Sequence, residues 1–289
     1  MSRISRRSFL KKFTFGTLAT VGLTYGGYYY AREIEPKWLD VIYNTVQSHR
    51  IPKSFDQFKI LQLTDLHYGF HYEEKHLKQL ISKINQLSFD LLVFTGDLTD
   101  DPSIVTQQQF NEIINHLSQI EAPFGKYWIY GNHDHGGYGT NKIKNVMEQA
   151  GFQLLKNDTI FIKKNEQAIT LSGLDDVMLG QPQLDRLVIE NHESYFNILL
   201  CHEPDFADQA IHYPFDMQLS GHSHGGQIRF PFIGHIITPP LGKKYVEGSF
   251  SLGSRPLNLF VSRGIGTTRL PFRFLCRPEI NLYTLEHLQ

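Results

Sequence analysis

Five short motifs of this 289-residue sequence contain aspartate, asparagine or histidine, and each directly follows an apolar run. Such carboxylate, amide and imidazole groups are the ligands of divalent Mn, Fe, Zn, Co and Ni. Two such ions that share one carboxylate can activate a water for hydrolysis. The motifs therefore predict a site for two divalent metal ions with seven ligands: Asp65, His67, Asp97, Asn132, His202, His222 and His224.

Each motif lies where a predicted strand ends. The apolar runs that precede the motifs are 60–63, 91–94, 127–130, 197–200 and 217–219. The carboxyl ends of strands in α/β sheets are where loops converge on a ligand. A single Asp-x-His or Gly-Asp motif is common, and alone it would favour a structural role. Five motifs on five strand ends favour one shared site instead.

The segments between these strands have helical spacing. Apolar residues recur three and four apart over 77–87, 110–120 and 143–150, and Gly151 is a helix stop. Residues 152–174 predict two strands around the turn at Lys164-Asn165, and Pro182 is expected to open another helix. Further strands are predicted at 257–261 and 280–285. This alternation predicts an α/β fold with layered sheets flanked by helices.

Composition excludes several classes of protein. The chain is 41% hydrophobic and 20% charged, which is enough to build a full core and excludes a disordered chain. Two cysteines, Cys201 and Cys276, exclude a disulfide scaffold and a cysteine-ligated zinc module. A formal net charge of −1 gives no basic field, so no nucleic-acid partner is expected.

The N-terminus has the layout of an export segment. Residues 1–12 contain five basic residues and no acid, and residues 13–30 carry no charge. The run Ser5-Arg6-Arg7-Ser8-Phe9-Leu10-Lys11 resembles the twin-arginine export signal. We therefore divide the chain into a signal or N-terminal membrane anchor (1–31), a lead-in segment (32–57) and the working domain (58–289). The expected partner is the twin-arginine machinery, the expected location is the periplasm or cell envelope, and the N-terminus is a further expected membrane contact.

The ordered motifs resemble those of the calcineurin-like metallophosphoesterases, over roughly residues 59–285. The resemblance implies two facing β-sheets flanked by helices, an α/β/β/α sandwich. It also implies which ligand serves which ion. Asp65, His67 and His224 would hold one metal ion, Asn132, His202 and His222 the other, and Asp97 would bridge both. By the same resemblance His133 would be the catalytic acid that protonates the leaving group, and Asp134 would orient it.

Other features of the sequence narrow the family without fixing the substrate. Asp100 stands where purple acid phosphatases have a tyrosine, and the run after Asp97 lacks the Asp-Arg-Gly of protein phosphatases. Segments 221–228 and 261–267 resemble an exported bacterial branch of envelope phosphoesterases, which includes hydrolases of UDP-diacylglucosamine in lipid A synthesis. The predicted function is hydrolysis of a phosphomonoester, phosphodiester or pyrophosphate by a metal-bridged hydroxide, with a phosphorylated small molecule or a lipid-linked compound as substrate. The alternative within the family is a UDP-diacylglucosamine pyrophosphohydrolase of lipid A synthesis.

Two alternatives of other classes remain: a non-catalytic binding scaffold on the same fold, and a nuclease. The complete ligand set argues against the scaffold, and the missing basic field argues against the nuclease. Among the other features, Cys201 is expected in the core, and so is the apolar run 230–237, with contact to an acyl chain or membrane as its alternative. Arg263 is expected to contact either substrate phosphate or an acidic side chain.

Overall fold

The computed structural model describes residues 6–135 and 140–289. Ser5 of the proposed export motif lies outside these residues. The helices are α1 Arg6–Tyr29, α2 Glu74–Ile84, α3 Gln107–Leu117, α4 Asn132–His135, α5 Thr140–Gln149 and α6 Ala207–Ala210. A search of the described residues finds no helix with both the length and the apolar character needed to cross a membrane.

The strands form two six-stranded sheets and one small hairpin. They are β1 Asp40–Ser48, β2 Lys59–Leu63, β3 Leu91–Phe94, β4 Lys126–Trp128, β5 Gln153–Leu154, β6 Asp158–Lys164, β7 Gln167–Gly173, β8 Asn197–Leu200, β9 Met217–Ser220, β10 Arg229–Phe230, β11 Gly234–His235, β12 Gly248–Leu252, β13 Leu257–Val261 and β14 Glu279–His287. The first sheet has the order β1-β14-β2-β3-β4-β5, and the second β12-β13-β9-β8-β7-β6.

Three apolar clusters arrange these elements in layers. The first packs α2, α3 and α5 on the outer face of the first sheet. The second fills the space between the two sheets, with Leu91 and Ile129 from one sheet meeting Leu200 and Leu219 from the other. The third covers the outer face of the second sheet with α6 and neighbouring turns. The fold is thus α/β with two facing sheets flanked by helices, as the sequence predicts.

The helices pack through the spacing seen in the sequence. In α2, Leu77, Leu80, Ile81 and Ile84 are buried on one face. A capping box begins the helix, in which the Glu73 amide donates to His76 Nδ1. Strands β2, β3, β8 and β9 are buried on both faces or nearly so, which explains why they read as continuous apolar runs.

The structure differs from the sequence-based expectations at three places. The lead-in segment 32–57 supplies β1, which pairs in parallel with β14 and so joins the first sheet as an edge strand. The helix expected at Pro182 is a single 3₁₀ turn, Leu184–Leu187. The placement of 230–237 in the core is wrong: these residues form the hairpin of β10 and β11, and its apolar side chains are exposed.

Candidate metal centre

All seven predicted ligands follow strands of the two sheets and lie in one region. Asp65, His67 and His224 can present ligand atoms within 4.8 Å of one another, and so can Asp97, His202 and His222. Asn132 begins α4, and among the described residues its buried Oδ1 has no hydrogen-bond partner. A buried oxygen of this kind is suited to a metal ligand. The first sheet supplies four of the ligands and the second supplies three.

Asp97 lies between the two groups of ligands. Its Oδ2 is 3.6 Å from His67 Nε2 and 3.2 Å from His202 Nε2. His224 Nε2 is in turn 3.0 Å from His67 Nε2 and 3.4 Å from Asp65 Oδ1. Two imidazole nitrogens that face each other this closely, with the Asp65 carboxylate beside both, are arranged for a cation. The donor set therefore fits two divalent ions with one carboxylate between them.

Contacts on the far side of three rings decide which nitrogen faces the centre. His67 Nδ1 lies 3.0 Å from Asp100 Oδ1, His202 Nδ1 lies 2.6 Å from the Thr95 carbonyl, and His222 Nε2 lies 2.7 Å from the Pro240 carbonyl. Each ring donates to its oxygen and leaves the other nitrogen for a metal ion. Asp100 was not among the predicted functional residues, although an acid three residues after Asp97 is a recognisable sequence feature.

The backbone carries strain at most of the ligands. Asp65, His67, Asp97, His222 and His224 have φ of 52°, 46°, 60°, 69° and 52°, in the left-handed region that costs energy for residues other than glycine. Glycine makes room beside them, because a Cβ on Gly131 would overlap Asp97 Oδ1 and one on Gly221 would overlap Asp65 Oδ2. The strands thus end in tight turns that direct consecutive side chains toward one point.

The protonation states of the ligands follow from burial and from each other. Burial, together with the neighbouring His202 imidazole, lowers the pKa of His222 to about 4. Burial and the His67 ring hold the pKa of His224 well below its usual value. Both rings are therefore neutral at pH 7, the form that binds metal. Although burial opposes ionisation of Asp97, the imidazoles of His202 and His133 hold its pKa well below the usual value.

His133 stands beside the ligands and is three-quarters buried. Its ring meets the His67 ring edge-on, with centroids 4.7 Å apart. Its Nδ1 lies 2.5 Å from the Asp100 carbonyl, so Nε2 is the nitrogen that this contact does not use. Burial lowers the pKa of His133, but Asp97 and the Asp100 carbonyl outweigh it and raise the pKa above the usual value. The ring is thereby suited to hold a proton and donate it.

Asp134 has a different position from the one predicted. Its two oxygens accept hydrogen bonds from the backbone amides of Asp97, Leu98 and Gly131, at 2.8, 3.0 and 2.9 Å. The prediction that Asp134 orients His133 is therefore wrong, since the Asp100 carbonyl holds the ring instead. Asp134 ties the Asp97 turn to the start of α4. Burial, and then the Asp97 charge, raise the pKa of Asp134 to about 7.

Arg263 and two histidines outside the ligand set have structural partners. Arg263 Nε lies 2.5 Å from Glu279 Oε2, so the ion-pair alternative describes it. His135 Nε2 lies 2.7 Å from Asp175 Oδ1, and His116 Nε2 lies 3.2 Å from Glu74 Oε1. Cys201 is buried in the outer cluster of the second sheet, as predicted.

Comparisons with known proteins find similarity to phosphoesterases. The family model for calcineurin-like phosphoesterases matches residues 58–226. The chain is 46% identical to the metallophosphoesterase YkuE of Bacillus subtilis, over 99% of each chain. It is 30% identical to the phosphodiesterase YaeI of Escherichia coli, over 98% of this chain and 99% of that protein. It is 26% identical to the UDP-2,3-diacylglucosamine pyrophosphatase LpxG of Chlamydia muridarum, over 87% of this chain and 90% of that protein.

Proposed function

The chain belongs to the calcineurin-like phosphoesterase family and is a metal-dependent phosphoester hydrolase; on that premise we propose that it hydrolyses a phosphodiester or pyrophosphate in the cell envelope. The observation that carries the chemistry is the convergence of two ligand groups on the Asp97 carboxylate. Asp65, His67 and His224 would hold one ion, and Asn132, His202 and His222 the other. The ions, when bound, supply positive charge for phosphate oxygens and lower the pKa of a water.

His133 supplies the proton that the reaction needs at its end. A leaving alkoxide is a strong base, and a positioned general acid speeds its departure. Because Nδ1 is held by the Asp100 carbonyl, Nε2–H would be the proton donor of His133, and the ring lies beside that of His67. Asp134 supports this indirectly, because it holds the backbone from which both Asp97 and His133 project.

A second candidate is a UDP-diacylglucosamine pyrophosphatase. It is supported by the similarity to LpxG and by the exposed apolar hairpin of β10 and β11. A substrate with acyl chains would suit an apolar surface near the centre. The nucleotide diphosphate would suit two metal ions, since both place several charged oxygens together.

Export by the twin-arginine route is part of the proposal. It is supported by the basic head, the arginine pair Arg6-Arg7 and the uncharged stretch at 13–30. A route that carries folded protein suits a chain whose metal ligands come from both sheets, because such a site exists only after folding.

One experiment separates the enzyme from a binding scaffold. Purified protein is analysed for bound metal, and hydrolysis of bis-p-nitrophenyl phosphate and of UDP-diacylglucosamine is measured with and without a chelator. We expect two ions per chain and chelator-sensitive hydrolysis of at least one substrate. A preparation with two bound ions that hydrolyses neither substrate would contradict the proposed function, and preference for the UDP lipid would favour the second candidate.

Export is tested separately. The double substitution Arg6→Lys, Arg7→Lys should leave hydrolysis unchanged and retain the protein in the cytoplasm, because the pair is an address outside the working domain. Fractionation that finds the double variant outside the cytoplasm at the wild-type level would contradict the assignment.

A further inference from the structure

The hairpin of β10 and β11 carries an apolar tip that nothing in the described chain covers. Phe232 is fully exposed, and Ile233, Ile236 and Ile237 are 74%, 62% and 69% exposed. Residues 230–237 include no aspartate, glutamate, lysine or arginine. Large apolar side chains grouped on a surface mark a contact with a partner or a membrane.

The residues at the end of α1 and directly after it pack on the same loop as this hairpin, the loop that contains Phe272 and Phe274. The ring of Phe230 is 6.3 Å from that of Phe274, which in turn is 6.2 Å from that of Tyr30. Tyr28 contacts Phe272 with ring centroids 5.3 Å apart. Leu270 and Leu275 add exposed apolar side chains in the intervening loop. We call the hairpin tip 230–237, these two leucines and the exposed side of α1 the apolar face.

The charge on the segments that build this face has one sign. Residues 6–32, 229–246 and 263–278 contain twelve basic residues and no acid, although the whole chain has 28 basic and 29 acidic residues. Some of these cations are paired, as Arg229 is with Glu247. Others are exposed: Arg6, Arg7, Lys11, Lys243 and Arg269.

We propose that the apolar face docks on the surface of an anionic lipid bilayer. Apolar side chains enter the boundary between headgroups and acyl chains, and nearby cations attract anionic headgroups. Tyrosines of α1 are suited to the same boundary, because their rings are apolar and their hydroxyls are polar. A second copy of this chain fits less well, since two such faces would bring like charges together.

Docking would bring the metal centre to the bilayer surface. The segment that forms the hairpin leaves the centre directly after His224, whose carbonyl accepts from the Gln227 amide at 2.9 Å. It returns at Pro240, whose carbonyl holds the His222 ring at 2.7 Å. The residues at both ends of the apolar segment are therefore hydrogen-bonded to ligand residues of the metal centre.

The test is cosedimentation of the full chain with vesicles. We expect stronger binding to phosphatidylcholine vesicles that contain about one-third phosphatidylglycerol than to phosphatidylcholine alone, and weaker binding as salt rises. The double variant Phe232→Ser, Ile233→Ser should have an affinity for the anionic vesicles that is lower by roughly tenfold or more. A matched control, Tyr43→Ser with Phe161→Ser, removes exposed aromatics from the outer strands β1 and β6 and should bind as the wild type does.

Thermal unfolding and hydrolysis of bis-p-nitrophenyl phosphate without vesicles report on the fold and on the centre. Both should match the wild type in the hairpin variant, so failure of the hydrolase assignment would be seen separately. If the first pair misfolds, Ile236→Ser with Ile237→Ser tests the same tip. Wild-type vesicle binding by a folded hairpin variant would overturn the proposal. It would also be overturned if the wild type is a dimer in solution and the hairpin substitutions dissociate that dimer without changing vesicle binding.

Discussion

The space between the two sheets is filled in two different ways. Through its interior, Leu91, Ile129, Leu200 and Leu219 and their neighbours make a fully apolar contact. At the edge where the strands end, the same two sheets face each other with carboxylates and imidazoles. The buried Gln62 separates the two regions: it donates to Thr95 Oγ1 at 2.8 Å and to the Ser220 carbonyl at 3.1 Å, and accepts from Tyr283 at 2.7 Å.

The difference teaches that stability and chemistry are divided along one interface. Apolar contact between sheets is favourable wherever surface is removed from water. Buried carboxylates and imidazoles are costly unless cations or hydrogen bonds compensate them. The interior can therefore hold the sheets together by itself, whereas the edge is complete only with its metal ions. Substitutions in the apolar interior should therefore lower stability and leave turnover unchanged. Substitutions at the edge with the ligands should lower metal binding and turnover.

The largest effect on turnover is expected from Asp97→Asn. The substitution removes the charge that lies between both ligand groups, and several kcal/mol of electrostatic stabilisation correspond to about a thousandfold or more in rate. Metal analysis and kcat measure it. Asp216→Asn is the control, because that buried carboxylate pairs with Arg50 away from the centre. A variant of Asp97 that keeps two ions and normal turnover would contradict its bridging position.

Substitution of His133 separates proton donation from metal binding. His133→Ala should retain both ions, because all seven ligands remain. Its loss of kcat should be modest with p-nitrophenolate, which leaves unaided, and about 10²–10⁴-fold with an alkyl leaving group. Equal losses on the two substrates would remove His133 from the position of acid, and loss of metal would make it a ligand.

A smaller effect is expected at Asp100, which acts through His67. Removal of the carboxylate that orients a ligand typically costs about 10–100-fold in metal affinity or activity. Asp100→Ala should show this loss in metal titration, while Asp100→Asn, which can still accept from His67 Nδ1, should recover part of it. If the two variants are indistinguishable from each other, the hydrogen bond is not what holds the ring.

The smallest effect on turnover is expected from the apolar interior. Leu219→Ala leaves a cavity between the sheets and should lower the free energy of unfolding by about 2–5 kcal/mol. Metal content and kcat at a temperature well below unfolding should stay at the wild-type values. Denaturant unfolding gives the free energy of unfolding, and metal analysis gives the metal content. Loss of metal in this variant would show that the apolar interior and the ligand edge are coupled.

The ligand set could be predicted because its signal is local. Each ligand stands at most a few residues after an apolar run, and the topology of parallel strands then brings the strand ends together. The position of Asp134 could not be predicted this way. Its neighbour in sequence is His133, but the short helix α4 directs the carboxylate back to the amides of Asp97 and Gly131.

Two other features escaped the sequence analysis because they depend on distant partners. Strand β1 has an irregular pattern with an exposed Tyr43, and only its register with β14 identifies it as part of the sheet. The run 230–237 is as apolar as the core strands. Its composition alone does not say whether another element covers it.

The position of β14 has a consequence for the order of events during synthesis. This strand lies between β1 and β2, and Tyr283 bonds to Gln62 across a separation of 221 residues. The ribosome has therefore synthesised β1, β2 and every ligand loop before it makes the strand that joins β1 to β2. The first sheet is complete only after translation has passed residue 287. Until then the edges of β1 and β2 that pair with β14 are unpaired, and unpaired strand edges promote aggregation or chaperone binding.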